Sequence, residues 1–177
     1  MNLRGSLCML RPWRLDDVAA LPEIANDRDV VRYMHLRFPS PYTYEDADDW
    51  IRPQLAEPEP RNWAVEVDGA LAGGIGLTFG EHERAGSVMI GYWIAKRWWG
   101  RGIATDALRT LTAHALAALR PRRLWANVMA ANAASARVLE KAGYVREAVL
   151  ARSLVDRHGT VHDELIFVFA QTAAEMT

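Results

Sequence analysis

The sequence predicts an α/β domain spanning residues 1–177, with one mixed, mostly antiparallel sheet flanked by helices. Three observations predict it. Residues 62–94 hold three strand-like runs separated by turn-forming residues, the pattern of an antiparallel meander. Ile103–Leu119 carries Ala104, Leu108, Leu111, Ala115 and Leu119 at helical spacing. A strand, a short helix and two further strands follow, so helices and strands share one core.

Taken in order, apolar Leu7–Leu10 reads as a first strand. Asp16–Asn26 reads as a helix, with Asp16 and Asp17 in its first turn and Val18, Leu21 and Ile24 on one face. Pro39 and Pro41 keep Val30–Thr43 irregular. Tyr44–Leu55 is a second helix, acidic on one side through Glu45, Asp46, Asp48 and Asp49, and Glu57–Pro60 ends it. Asn62–Val67 alternates as a strand and meets the tight-turn pair Asp68-Gly69. Glycine-rich Leu71–Phe79 and then Ser87–Ile94 complete the meander on either side of polar Gly80–Gly86. Pro121 stops the long helix. Leu124–Met129 is a strand, and Ala133–Ala142 a helix closed by Gly143 just past its end. Val145–Leu154 and Leu165–Ala170 are two more strands around the turn at Arg157–Thr160.

Composition narrows the function. A net charge of −1 and a pI of about 6.5 give no basic surplus for nucleic acid. No apolar run reaches the roughly 20 residues of a membrane span. The N-terminus lacks the apolar core and cleavage site of a signal peptide, so a cytoplasmic location is expected. Cys8 is the single cysteine, which excludes an internal disulfide and a cysteine metal cluster; no metal is expected. Its apolar neighbours suit strand packing better than thiol chemistry. Seven tryptophans suit core packing, with Trp98 or Trp99 placed to wall a ligand groove.

The stretch IAKRWWGRGIAT, Ile94–Thr105, carries the chemistry. Gly100 and Gly102 join a strand to a helix N-terminus, where unpaired N–H groups and the positive end of the helix dipole favour a phosphate. Ile103-Ala104 stands where a Walker loop needs Lys-Ser/Thr. Thr105 takes the third glycine position of a dinucleotide turn, and Leu124–Met129 offers no acidic residue for a ribose.

Together with NAASARVLEKAGY, Asn132–Tyr144, the motif YWIAKRWWGRGIATDAL resembles the GCN5-related N-acetyltransferase (GNAT) superfamily. It is most similar to the branch holding ribosomal-protein N-terminal acetyltransferases. The opening LRPWRLDD and the closing RHGTVHDEL extend the resemblance over nearly the whole chain. The superfamily's phosphate loop, [Q/R]-x-x-G-x-[G/A], is matched by Gly102 and Ala104, while Trp99 departs at its first position. The resemblance implies a V-shaped splay between Ser87–Ile94 and Leu124–Met129, with acetyl-CoA as co-substrate. The pantetheine arm would bond to the main chain of Trp93 and Ile94. The diphosphate would sit over Gly100, Arg101, Gly102, Ile103, Ala104 and Thr105, with the N–H of Trp99 assisting and Arg101 adding charge. Asn132 would hold the arm from the other side, or cap its helix, or both. A main-chain N–H near Ile90–Tyr92 would stabilise the oxyanion.

The resemblance also shows what is missing. The usual glutamate position is Met89 and the usual tyrosine acid is Leu139. Ser135 matches a serine used near the sulfur and is the expected catalytic residue, as donor to the thiolate. Glu147, Asp163, Glu164 and His35 are candidate proton acceptors; Asp163 is also expected beside the acceptor, and His114 is expected to be structural. An α-amine, with a pKa of about 7.7–8, needs less help from a base than a lysine at about 10.4. The expected reaction is therefore acetyl transfer to a peptide N-terminal α-amine. Acetylation of a small amine (polyamine, amino acid analogue or aminoglycoside), an acyl-CoA-binding module without chemistry, and a nucleotide-dependent enzyme are the alternatives. A homodimer is a further expectation from the resemblance.

Overall fold

The computed structural model describes residues 1–170; the last seven residues of the expected domain lie outside the described residues. The strands are β1 (Leu3–Arg4), β2 (Met9–Arg11), β3 (Asn62–Val67), β4 (Ala70–Phe79), β5 (Ser87–Ile94), β6 (Arg123–Met129), β7 (Tyr144–Val155) and β8 (Val161–Phe169). The α-helices are α1 (Asp17–Ala25), α2 (Arg28–Val31), α3 (Tyr44–Ala56), α4 (Ile103–Leu119) and α5 (Ala133–Lys141). All eight strands form one sheet in the order β1-β2-β3-β4-β5-β6-β8-β7. Among the described residues only β5 and β6 pair in parallel, so the expected mixed and mostly antiparallel sheet is present.

The parallel pair is short. Ser87, Val88 and Met89 pair with Arg123, Leu124 and Trp125, and the register stops there. Beyond it, β5 stays with β4 through Ile94 while β6 stays with β8 through Met129. The sheet therefore opens into a V between residues 90–94 and 126–129.

Strand alternation sorts the side chains onto two faces. Val88, Ile90, Leu124, Ala126 and Val128 pack with Leu108, Leu111 and Leu139 on the α4–α5 side. Ala64 and Trp93 meet Leu21, Ile24, Val31, Phe38 and Ile51 on the α1–α3 side. Met89, Trp125, Asn127 and Met129, with Glu164 opposite Met129, continue that second face from the last parallel pair along β6.

Helix starts follow their local chemistry. Thr43 and Asp46 form a capping box that begins α3. Asp27 caps the one-turn α2, which runs two residues into the stretch expected to be irregular. The expected first strand Leu7–Leu10 is corrected: the strand is Met9–Arg11, and residues 5–8 form a turn with Gly5 N–H donating to the Cys8 carbonyl at 2.9 Å. The reason is Asp106, in the first turn of α4, whose carboxylate accepts the N–H groups of Ser6, Leu7 and Cys8 at 3.0, 2.7 and 3.1 Å. β8 starts four residues earlier than expected, because polar His162, Asp163 and Glu164 hide its alternation.

A buried cation fixes the other side. Arg11, 3% exposed, donates to both Asp17 oxygens at 2.7 Å and to Glu66. It ties β2 and β3 to the start of α1. Removing one member of a buried pair strands the other charges. Arg11→Ala is expected to destabilise the fold by about 3–5 kcal/mol, read as a lower urea midpoint with an unchanged slope.

Candidate active site

The N-terminus of α4 stands at the mouth of the V. Gly100 and Gly102 both adopt positive φ, +75° and +80°, which a side chain resists. Gly102 is the N-cap residue and supplies no capping side chain. The first intrahelical bond runs from Asp106 N–H to the Gly102 carbonyl at 3.0 Å. The N–H groups of Ile103, Ala104 and Thr105 precede it, so the helix start is left for an anion. Asp106 brings a negative charge to this turn, but three N–H donors of the β1–β2 turn absorb it. Arg101 stacks its guanidinium 5.1 Å from the Trp98 ring centre, on the loop itself. Arg97 lies over the same ring and donates to the Leu71 carbonyl at 3.0 Å.

Hydrogen bonds at the two ends of β5 fix which residues face the opening. Gly80 N–H donates to the Ser87 carbonyl and Ala95 N–H to the Ala72 carbonyl, both at 2.8 Å and both towards β4. Arg123 N–H donates to the Gly86 carbonyl, towards β6. Alternation then turns the main chain of Ile90, Tyr92 and Ile94 to the splay, and that of Trp93 to β4. The expected pantetheine contact at Trp93 is corrected accordingly: its main chain belongs to the sheet and its ring packs on Phe38, 5.9 Å between centres. Ile94 faces the opening, and its carbonyl accepts the indole N–H of Trp99 at 2.6 Å. The expected use of the Trp99 N–H is also corrected, because it donates to the Lys96 carbonyl at 3.0 Å.

Across the opening, Asn132 caps α5 by accepting the Ser135 N–H at 3.1 Å. The Ser135 hydroxyl lies 2.9 Å from the Tyr92 hydroxyl, which also reaches the Ser135 carbonyl at 3.2 Å. This bond joins β5 to α5 over the gap. Burial pushes the Tyr92 phenol up to about 12, against the opposing hydrogen bond from Ser135. Tyr92 thus keeps its proton at neutral pH. The sequence pointed to the main chain of Tyr92 and missed its hydroxyl; its place four residues after Val88, on the face of the α4 core, was the available signal.

The candidate proton acceptors separate. Met89 is the last paired residue before the splay. Leu139 is 1% exposed in the core. Glu147 is tied to Arg123, which holds its carboxyl below the ordinary range. Asp163 accepts the Arg152 N–H at 2.8 Å, within an irregularity in β7. His114 stacks edge-on against Trp63 in the core, as expected of a structural residue. His35 is held towards its neutral form by partial burial first, then by Arg157 and Arg37. Its segment roofs the second face of the sheet. Tyr33 donates its hydroxyl to the Ala131 carbonyl at 3.2 Å, and Arg157, at the tip of the β7–β8 hairpin, donates to the carbonyls of His35 and Phe38. Among the described residues no group of histidine, cysteine and acidic side chains could hold a metal ion, and no helix is long and apolar enough to cross a membrane.

A sheet parted between its parallel strands, opposite an uncapped helix entered through two glycines, defines an acyl-CoA-dependent transferase. A family model described as the acetyltransferase (GNAT) domain matches residues 8–145, and the chain belongs to that family. It is 29% identical over 171 residues to the probable N-acetyltransferase YjcK of Bacillus subtilis, covering 93% of this chain and 94% of that protein. The solved structure of RimJ from Mycobacterium smegmatis, in complex with CoA-disulfide, is 28% identical with a TM-score of 0.82, covering 99% of this chain and 88% of that one. RimL, a ribosomal L7/L12 α-N-protein acetyltransferase solved with coenzyme A, is 18% identical with a TM-score of 0.81, covering 95% and 97%, and shares the fold. The chain is an acetyl-CoA-dependent N-acetyltransferase.

Cys8, buried beside Asp106, is held as a thiol. Burial first, then the charge and hydrogen bond of Asp106, push its thiol up to about 12. Its thiolate fraction at pH 8 is then about a thousandfold below that of a free cysteine. Iodoacetamide labelling at pH 8, followed by mass, is expected to be slower by that order until the protein is unfolded.

Proposed function

We propose that the chain carries the acetyl group of acetyl-CoA to an amine of low pKa, foremost the α-amine of a protein N-terminus, by direct attack on the thioester. The observation that carries this reading is the open start of α4 facing the V, with Ser135 and Tyr92 bonded across it. The diphosphate lies over the main chain from Gly100 to Thr105, through Arg101, Gly102, Ile103 and Ala104, where dipole and free N–H groups act together. Arg101 adds a full positive charge. The pantetheine arm runs beside Ile94 and Tyr92 in the manner of an added strand, with Asn132 opposite.

As the amine attacks, charge develops on the thioester oxygen. The N–H groups of Ile90 and Tyr92, turned to the opening, are the donors available to it. The departing sulfur takes its proton from Ser135, and the phenol of Tyr92, still protonated at neutral pH, stands behind that hydroxyl. Met89 cannot take a proton from the nucleophile, and Leu139 cannot give one to the sulfur. About a tenth of an α-amine is neutral at pH 7, against a few parts in ten thousand of a lysine. A site with no base on β5 therefore favours the α-amine. RimL, by name a ribosomal L7/L12 α-N-protein acetyltransferase, shows that this fold accommodates a protein α-amine.

An acceptor screen with mass detection tests the reading: acetylated peptide N-termini are expected, and acetylation of small polyamines alone would overturn the acceptor class. Gly102→Glu sets a carboxylate beside the diphosphate, against Leu7 at 3.2 Å, and is expected to abolish CoA binding in calorimetry. Gly102→Ala, which adds the backbone strain without the charge, is expected to retain weakened binding. Ser135→Ala is expected to lower kcat by about 100-fold, with KM for acetyl-CoA within about twofold of wild type.

A further inference from the structure

We infer that Glu164 is the group that receives the acceptor amine and takes its surplus proton, from a polar site built by Asn127 and Ser153 on the sheet face opposite α4. The inference rests on the acetyltransferase reading above and supplies what β5 lacks.

Glu164 is 8% exposed, yet no cation reaches it among the described residues. Buried Asp17, by contrast, is matched by Arg11. The two oxygens of Glu164 are held by neutral donors: the Asn127 amide at 2.6 Å and the Ser153 hydroxyl at 2.6 Å. A buried carboxylate held only by neutral groups is costly, and an arriving ammonium relieves that cost. The neighbouring carboxylate, Asp163, accepts the main-chain N–H of Arg152 at 2.8 Å.

Position makes the carboxylate relevant. Glu164 sits opposite Met129, the last residue of β6, and Asn127 lies on β6 itself, the strand that forms one lip of the V. Both share a face with Met89 and Trp93, whereas Ser135, Tyr92 and α4 lie on the other. The sheet thus separates the two substrates: thioester from one side, amine from the other, meeting in the gap. The register shift between Leu150 and Leu154 carries Ser153 onto Glu164. Across that face, Tyr33 and Arg157 tie down the roof of the acceptor approach.

The step balances. Glu164 takes one proton from the ammonium and later returns it to solvent. The freed lone pair forms the C–N bond at the carbonyl carbon, and the C–S bond breaks. Ser135 gives its hydroxyl proton to the sulfur and is restored by the second proton shed from the new amide nitrogen. The products are the N-acetyl amide and the CoA thiol.

The test uses full-length wild type, Glu164→Gln and Glu164→Asp, with acetyl-CoA and a short peptide whose free N-terminus the wild type acetylates. At pH 7, Glu164→Gln is expected to lower kcat/KM for the peptide by about 100-fold while KM for acetyl-CoA stays unchanged. At pH 9, where an α-amine of pKa about 7.7–8 has shed its own proton, the defect is expected to shrink below about tenfold. Glu164→Asp is expected to show a smaller loss with the same narrowing, and it decides the matter if the glutamine variant does not fold. Wild-type rates at both pH values, or a defect of equal size at both, overturn the role of Glu164 alone. A wild type that binds coenzyme A but acetylates no amine overturns the acetyltransferase reading, and this one with it.

Discussion

Three residues of parallel pairing between β5 and β6 set the conditions for everything else in this molecule. Parallel strands are joined through a crossover helix, and here the crossover is α4. Because the ladder ends at Met89 and Trp125, the main chain of β5 keeps polar groups facing a gap instead of a neighbour. Buried backbone groups seek partners. In this sheet the partners are an indole N–H on the Ile94 carbonyl and space for an extended ligand. The bond between the Tyr92 and Ser135 hydroxyls spans the gap from β5 to α5.

The charges around the gap are arranged to leave one helix end exposed. Asp106 could have capped α4 or opposed an anion there. It turns to three N–H groups of the first hairpin, which both anchors that hairpin and quenches its charge. Burial first, and then this same carboxylate, keep the one thiol of the chain protonated. On the far side Arg11 gathers Asp17 and Glu66. Positive charge at the loop itself stays on Arg101, flat against Trp98, where stacking holds it without neutralising it.

Most of the fold was legible because its signals are local. The meander of β3, β4 and β5 and the helix Ile103–Leu119 stand where alternation and helical spacing put them. The first strand was misread because Asp106, about a hundred residues away, bends Ser6–Cys8 into a turn that no neighbouring residue encodes. β8 was cut short because buried Glu164 breaks the apolar alternation that marks a strand. At the site, glycine spacing pointed to the α4 start, but main-chain direction is a property of register. Trp93 was therefore taken for a lip residue when Tyr92 and Ile94 fill that place. The Tyr92 hydroxyl escaped notice since a tyrosine among apolar residues reads as packing until its hydroxyl is seen to meet another.

The hydrogen bonds that tie the strap over the second face end on main-chain carbonyl oxygens, those of Ala131, His35 and Phe38, while the Phe38 ring seats it on Trp93. Every amino acid carries that oxygen. Side chains between Met34 and Arg37 can therefore be exchanged without unpicking the fastening, so selection for a new recipient molecule can rewrite this segment while the thioester machinery on the reverse of the sheet goes untouched.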